Sequence, residues 1–395
     1  MSRPIPVILS ACRTPIGRYL GGLSGRSAVD LGVVAAKEAL ARSQVDPDQV
    51  DEAIVGNVLA AGLGQAPARQ VAIGAGIPTK ASALTINMVC GSGLRSVMLA
   101  ATAIRAGDAD VVLAGGMESM SNAPHLLRGG RSGWKLGDGV LVDSMLHDGL
   151  TCAVEGWPMG EAAERTADMC KLSREELDSF SCESHRRALE AQRSGAFDLE
   201  IVPVTIEGKK GVSTTIKGDE GPRAESDQAA LARLKPAFCA EGVVTAGNSS
   251  SLSDGAAMLV VASEAKAEQL RVRPVARILA TAISGLDPCD LFLAPIGAIR
   301  AVLAKARLTP QDVDLYEINE AFASQLLGCV KGLEIDLAKV NVHGGAIALG
   351  HPIGASGARV LVTLVHALER HGKKIGVAAL CLGGGNAVAL VVERA

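Results

Sequence analysis

The chain has 395 residues and a formal net charge of −3, so it lacks the basic footprint of a nucleic-acid binder. Hydrophobic residues make up 48% and aromatics only 2%, which predicts a large core that is almost wholly aliphatic. No run reaches the roughly 18 apolar residues of a membrane span, and the length exceeds one ordinary domain.

The apolar stretch after Met1-Ser-Arg-Pro-Ile-Pro is too short for a secretion signal, so a cytoplasmic protein is expected. Residues Val33 to Ala41 contain no Gly or Pro and predict a helix; Ala53-Ile-Val-Gly predicts a buried strand. Next come a helix over Arg95 to Ala106 and a strand at Val111-Val-Leu-Ala-Gly-Gly. The stretch from Asn122 to Ser250 is different. It holds both Trp residues, much Gly, and charged segments such as Glu207-Gly-Lys209-Lys210 and Lys217-Gly-Asp-Glu-Gly-Pro-Arg223. Regular patterning resumes with a strand at Gly255-Ala-Ala-Met-Leu-Val-Val. It ends with a helix over Arg359 to Arg370 and strands at Ile375-Gly-Val-Ala-Ala-Leu and Asn386-Ala-Val-Ala-Leu-Val-Val. The alternation predicts an α/β protein.

A repeat organises these elements. Ser92-Gly-Leu-Arg opens a helix that leads to the strand at Val111. Ser356-Gly-Ala-Arg opens a helix that leads to the strand at Val377, which passes directly into a further strand. In the first copy that further strand appears only at Gly255, after the irregular stretch. Two similar halves are therefore expected, the first split by an insertion. Their bounds are 1–121 plus 251–273, 122–250 for the insertion, and 274–395. A loop-rich insertion on a rigid scaffold suits a ligand site.

Nine cysteines are scattered along the chain without a Cys-x-x-Cys spacing, which excludes a disulfide framework or zinc ribbon and fits a reducing compartment. Cys90, in Asn87-Met-Val-Cys-Gly-Ser-Gly, falls where a strand hands over to a helix. The free N–H groups of a helix start would lower its pKa, and Gly91 and Gly93 would let a substrate approach the backbone. The alternative is a buried structural cysteine. His351 precedes Pro352, so its backbone is constrained; it reads as a positioned base or as a hydrogen-bonded structural residue. His343 reads more simply as structural. The Gly-rich run from Gly344 to Gly357 lacks both a P-loop Lys and a dinucleotide fingerprint. Cys381 ends a strand before three glycines, either as a core cysteine or as a thiol beside an oxyanion hole. Asn319, in Glu317-Ile-Asn-Glu-Ala-Phe, either caps a helix or orients a water or a substrate carbonyl. Two thiols, an imidazole and an amide suit a two-step acyl transfer in which one thiol attacks a thioester and a second base removes a proton beside a carbonyl.

On these motifs the chain resembles the thiolase family over essentially its whole length. Further matching segments are Arg13-Thr-Pro-Ile-Gly, Gly64-Gln-Ala-Pro-Ala-Arg-Gln, Ala114-Gly-Gly-Met-Glu-Ser-Met-Ser and Thr245-Ala-Gly-Asn-Ser-Ser. The resemblance implies two βαβαβαββ halves in a five-layered α-β-α-β-α body with an inserted loop domain. It implies reversible condensation of two acetyl-CoA to acetoacetyl-CoA and CoA, or cleavage of 3-ketoacyl-CoA of broader chain length. By resemblance Cys90 takes the acyl group, His351 accepts its proton, and Cys381 moves the α-proton. Asn319 holds a water that forms one oxyanion hole with His351, and the N–H groups of Cys90 and Gly383 form the other. Arg223, Ala246 and Ser250 match the coenzyme A site; Leu150, Met159 and Phe322 match the pantetheine and acyl pocket. No metal or cofactor is implied, since coenzyme A thioesters are substrates. A homo-oligomer is implied, a dimer or a homotetramer, with a role in fatty acid metabolism and without nucleic-acid or membrane partners. Three departures bear on the acyl chain: Pro158 replaces a frequent His, Leu291-Phe-Leu-Ala-Pro-Ile-Gly-Ala replaces a Gly- and Pro-rich segment, and Ser251 replaces a frequent Gly. A non-catalytic acyl-CoA-binding protein and a cysteine hydrolase are the remaining readings; the first leaves all four reactive residues unused and the second leaves Cys381 idle.

Overall fold

The computed structural model describes residues 4–208 and 212–395; Lys209 and Lys210 of the charged inserted segment, and Met1-Ser2-Arg3, lie outside the described residues. The first half runs β1 (Pro6–Arg13), β2 (Gly17–Arg18), α1 (Ala28–Ser43), β3 (Glu52–Gly56), α2 (Pro67–Gly74), β4 (Ser82–Ile86), α3 (Ser92–Ala106) and β5 (Val111–Ser119). The chain then departs through β6 (His125–Leu127), β7 (Leu141–Asp143), α4 (Met159–Met169), α5 (Arg174–Arg193), β8 (Val204–Glu207), β9 (Ser213–Ile216) and α6 (Gln228–Ala232). It returns with β10 (Ser253–Ser263) and α7 (Glu264–Leu270). The second half is β11 (Ala276–Gly285), α8 (Ala294–Ala306), β12 (Leu315–Ile318), α9 (Ala323–Leu333), α10 (Ala346–Leu349), α11 (Ile353–Arg370), β13 (Ile375–Leu382) and β14 (Asn386–Arg394).

The main sheet follows the order β12-β13-β14-β11-β1-β10-β5-β3-β4, with β2 paired to β10. Its two halves meet at a narrow seam, where only Val7↔Arg277 and Ile8↔Ala276 pair across β1 and β11. Outward from the seam, with the two-residue β2 set aside, each half places its first strand, its last, its penultimate and its second in the same order. The repeat seen in the sequence is thus a repeat of topology. The copies differ at the outer edge. The first half adds β4 there, whereas the second keeps only an isolated parallel bridge, Tyr316↔Val340.

Apolar packing divides the molecule into layers. Helices α3 and α11 lie between the two half-sheets, where Leu94, Val97, Leu361 and Leu364 meet Val261, Leu380 and Leu390 in one cluster. Helices α1 and α2 cover the far face of the first half-sheet, with Leu31, Ala35 and Val71 against Val55, Leu113 and Val260. Helices α8 and α9 cover the second, with Ile299, Val302 and Leu326 against Ala389 and Val391. The result is the five-layered α-β-α-β-α body. Strands buried on both faces need unbroken apolar runs rather than alternation, and every residue of β10 is buried.

The paired Ser-Gly motifs have a specific task in this packing. A Cβ on Gly93 would come within 2.6 Å of Ala358 N, and one on Gly357 within 2.3 Å of Leu94 N. The two central helices therefore cross backbone to backbone at their first turns. That crossing brings the N-terminus of α3 to the N-terminus of α11, and with them the residues that precede each helix, Cys90 and His351.

Arg13 at the end of β1 ties the inserted stretch to this body. Its guanidinium is fully buried, bonds Glu200 through Nε at 2.6 Å, and grips Asp219 bidentately at 2.6 and 2.9 Å. Arg13→Met would leave two buried carboxylates without their cation. The expected loss is about 3–5 kcal/mol of stability, read from the midpoint of chemical denaturation; a loss below about 1 kcal/mol would show that the pair is solvated.

Candidate active site

Cys90 projects from a tight elbow between β4 and α3. Asn87 Oδ1 accepts from the Val89 N–H at 3.0 Å, and Ser92 Oγ accepts from the Met88 N–H at 2.8 Å while donating to the Val89 carbonyl at 2.7 Å. Val89 is held at φ +46°, a left-handed conformation that a β-branched residue resists. Strain of this kind costs on the order of 1–3 kcal/mol and persists only where its surroundings over-determine it. The elbow leaves Cys90 half-buried, with its own N–H and that of Gly383 directed at its sulfur.

The helix start does not make this thiol acidic. Burial pushes the Cys90 thiol up to about 12; the N–H groups of Gly383 and Cys90 pull the other way, and Glu118 adds a smaller upward push. Against the lowered pKa expected from the sequence, burial raises this thiol by more than the Gly383 and Cys90 N–H groups lower it. The reading of Gly91 and Gly93 as openings for substrate is corrected too. A Cβ on Gly91 would sit 2.1 Å from Leu382 Cδ2, and Gly93 forms the helix crossing. Both glycines serve internal packing.

His351 stands just ahead of α11. Its N–H donates to the Ser251 carbonyl at 3.0 Å, after a turn at Gly350 whose φ of +111° admits only glycine comfortably. His351 Nδ1 lies 2.6 Å from Ser356 Oγ, and Ser356 donates its hydroxyl proton to the Pro352 carbonyl at 2.9 Å. Ser356 then has only its lone pair to offer, so Nδ1 carries the imidazole proton and Nε2 is left free to act as a base. Burial, with a smaller contribution from the Arg359 charge, pushes the imidazole down to about 3, so it is neutral at ordinary pH.

Cys381 lies near the end of β13, fully buried, with its thiol pushed well above the ordinary value, first by burial and next by the proximity of Cys90. Asn319 is buried behind His351, with Nδ2 3.4 Å from each ring nitrogen. Its own N–H bonds the Ala379 carbonyl at 3.0 Å, and α9 starts only at Ala323, so the helix-cap alternative is excluded. Asn319 Oδ1 is buried and has no hydrogen-bond partner among the described residues.

A cavity of about 310 Å³ joins the two thiols and the imidazole, while Asn319 lies behind His351 and is not in the lining. Cys90, His351, Cys381 and Gly383 line it, together with Leu150, Met159, Ser250 and Phe322. All three departures from the family pattern reach the same cavity, through Pro158, Ser251, Leu291 and Phe292. Phe292 packs on Phe322 with ring centroids 5.3 Å apart, so two aromatic rings wall one side. Arg223 and Ala246 are not in the lining; both are exposed, and Arg223 donates its N–H to His185 Nδ1 at 3.1 Å. His343 is also apart, bonded to His371 at 3.1 Å and edge-on to Phe197, which fits its structural reading. Among the described residues, no group of three or more His, Cys, Asp or Glu side chains is placed to hold a metal ion.

Reasoning from sequence missed three contributors. Ser356 sits in the repeated Ser-Gly motif, five residues after the His351 that it contacts. Phe238 lines the cavity from the inserted stretch and meets Phe322 at 6.2 Å. Glu118, within the Ala114-Gly-Gly-Met-Glu segment, adds its charge to the surroundings of Cys90.

Residues 6–265 match the family described as Thiolase, N-terminal domain, and residues 272–394 match Thiolase, C-terminal domain. An acetyl-CoA acetyltransferase of Cupriavidus necator is 51% identical over 388 residues, covering 98% of this chain and 99% of the relative. One from Escherichia coli is 50% identical over 389 residues, covering 98% of each. The crystal structure of the Bacillus anthracis acetyl-CoA acetyltransferase superposes with a TM-score of 0.98 at 42% identity, covering 100% of both chains. With its repeated halves, its shared cavity and these likenesses, the chain belongs to the thiolase family.

Proposed function

We propose that the chain is an acetyl-CoA C-acetyltransferase that condenses two acetyl-CoA into acetoacetyl-CoA and CoA. The observation that carries this reading is one cavity lined by two thiols and one imidazole. The names borne by relatives at about half identity support the two-carbon substrate.

The reaction divides into two steps that balance. First, Cys90 Sγ bonds the thioester carbon of acetyl-CoA while its proton passes to His351 Nε2. The coenzyme A thiolate leaves and takes a proton from Cys381, which becomes a thiolate. Second, that thiolate removes the α-proton of another acetyl-CoA, and the carbanion bonds the acetyl carbon on Cys90. The Cys90 thiolate leaves and recovers its proton from His351. A thiol pushed above its ordinary value by burial gives a strong base once ionised, which suits it to a weakly acidic C–H. Asn319 Oδ1, free of protein partners among the described residues, can hold a water beside His351 for the developing oxyanion. The N–H groups of Cys90 and Gly383, directed at the Cys90 sulfur at rest, are the donors for the other oxyanion in this proposal.

The inserted stretch 122–250 is assigned the coenzyme A site in this proposal, with Arg223, Ala246 and Ser250 as its contacts, of which Ser250 lines the cavity. The flanking stretches 1–121 plus 251–273 and 274–395 are the two catalytic halves. The reaction needs no metal or further cofactor. A homo-oligomer is also part of it. The outer strand β4 exposes Leu84 at a sheet edge, and the β6–β7 arm exposes Leu127, Leu136, Val140 and Leu141. An open edge and a bare apolar arm both call for a partner surface. Among the described residues no helix is long and apolar enough to cross a membrane; a cytoplasmic location is our inference from the reduced cysteines.

The alternative, a 3-ketoacyl-CoA thiolase of broader chain length, draws on Pro158, Ser251 and the Leu291 segment all facing the cavity. A substrate panel decides between them. Acetoacetyl-CoA is expected to exceed medium-chain 3-ketoacyl-CoA in kcat/KM by roughly tenfold or more in the thiolysis direction. Phe292→Ala is expected to narrow that gap by opening the aromatic wall. Medium-chain substrates outperforming acetoacetyl-CoA in the unaltered enzyme would overturn the acetyl specificity.

A further inference from the structure

Glu118 lies on β5, fully buried and outside the chemical steps just described. Its Oε1 accepts from Asn57 Nδ2 at 2.8 Å and from the Leu59 N–H at 3.2 Å. Its Oε2 accepts from the Val58 N–H at 3.1 Å and from the Gly354 N–H at 3.0 Å. All four partners are donors. Only an ionised carboxylate can accept from all of them; a protonated one would turn an O–H toward an N–H and lose a bond.

The two sides of this clamp are different parts of the site. Val58 and Leu59 pack with Met120, Met145 and Ile353 against Cys90 and Leu150. Gly354 is in the first turn of α11, three residues after His351. One carboxylate thus fastens the wall of the nucleophile's pocket, from the first half, to the turn that carries the base, from the second.

We propose that Glu118 is a positioning residue whose ionised carboxylate holds the His351 turn in register with the Cys90 pocket. The proposal rests on the acyl-transfer reading above. Burial pushes Glu118 up to about 7 against the pull of the Leu59, Val58 and Gly354 N–H groups, and Asp254 of β10 adds to the push. Cys90, on the elbow, is the other titratable group that senses it. The groups facing it from the 57–59 loop and from α11 are amides. The clamp is complete above about pH 7 and loosens as the pH falls through that value and the carboxylate takes up a proton.

The test measures kcat and KM for acetyl-CoA from about pH 5 to 9 in the full-length enzyme, Glu118→Gln and Asn57→Ala. The unaltered enzyme should lose kcat on the acid side with an apparent pKa near 7 and an unchanged KM. Glu118→Gln should have kcat roughly 100-fold lower, with no acid limb near 7, because its amide presents a donor to donors. Asn57→Ala removes one donor to the carboxylate and should move the limb to higher pH while keeping most of the activity above it. Wild-type kcat in Glu118→Gln, or an acid limb unmoved in both variants, overturns the proposal. If circular dichroism finds Glu118→Gln unfolded, Asn57→Ala decides alone, and an unmoved limb overturns the proposal. Mass spectrometry of acetyl-Cys90 keeps the two claims apart: no adduct in the unaltered enzyme sinks the acyl-transfer reading, whereas an adduct with normal Glu118→Gln kinetics sinks only the role of Glu118.

Discussion

Cys90→Ala should form no acetyl-enzyme and should lose both condensation and thiolysis by about 10⁴-fold or more. Of the elbow residues, Cys90 is the one that lines the cavity, so its sulfur is the atom presented to the thioester carbon. Val89 accepts a left-handed conformation, and Asn87 and Ser92 hold it there, so that residue 90 faces the cavity. The proposed attack does not require a thiolate at rest. Cys90 and His351 are both neutral at rest, so no buried ion pair has to be maintained between turnovers. Charge separates only as the sulfur bonds carbon, when the N–H groups of Cys90 and Gly383 have a developing negative charge to meet. Intact-mass analysis after incubation with acetyl-CoA checks the prediction. An acetyl adduct of undiminished yield on Cys90→Ala would move the nucleophile to another residue.

The sequence carried the plan of the molecule because the plan is a duplication. Ser92-Gly-Leu-Arg and Ser356-Gly-Ala-Arg are legible as a pair, and their glycines turn out to be the crossing point of the central helices. Cys90, His351 and Cys381 are legible because each sits beside a run of glycines at an element boundary. Quantities that depend on what packs around a group are not legible. The direction of the Cys90 shift follows from burial, which the start of a helix does not reveal. Gly91 faces Leu382, which is 291 positions away, so no local pattern could tell packing from substrate access. Glu118 escaped for the same reason: its four donors come from residues 57–59 and 354, and nothing near residue 118 announces them. Arg223 and Ala246, expected at the coenzyme A site, are exposed and outside the cavity lining.

Cys381→Ala should separate the two half-reactions. Acylation of Cys90 should persist, because a coenzyme A thiolate leaves readily without help and His351 still takes the Cys90 proton. Condensation should fall by about 10³- to 10⁴-fold, since removal of an α-proton has no substitute base in the cavity. His351 cannot fill in. Its imidazole is a weak base in this burial. The buried Cys381 thiol is the opposite case, reluctant to ionise and correspondingly eager to recover a proton. The measurement pairs the mass of the acetyl-enzyme with exchange of the methyl protons of acetyl-CoA into deuterated water. Full acetylation with exchange abolished is the expected result. Wild-type exchange in Cys381→Ala would show that the proton is taken elsewhere, and the role assigned to the second thiol would fall.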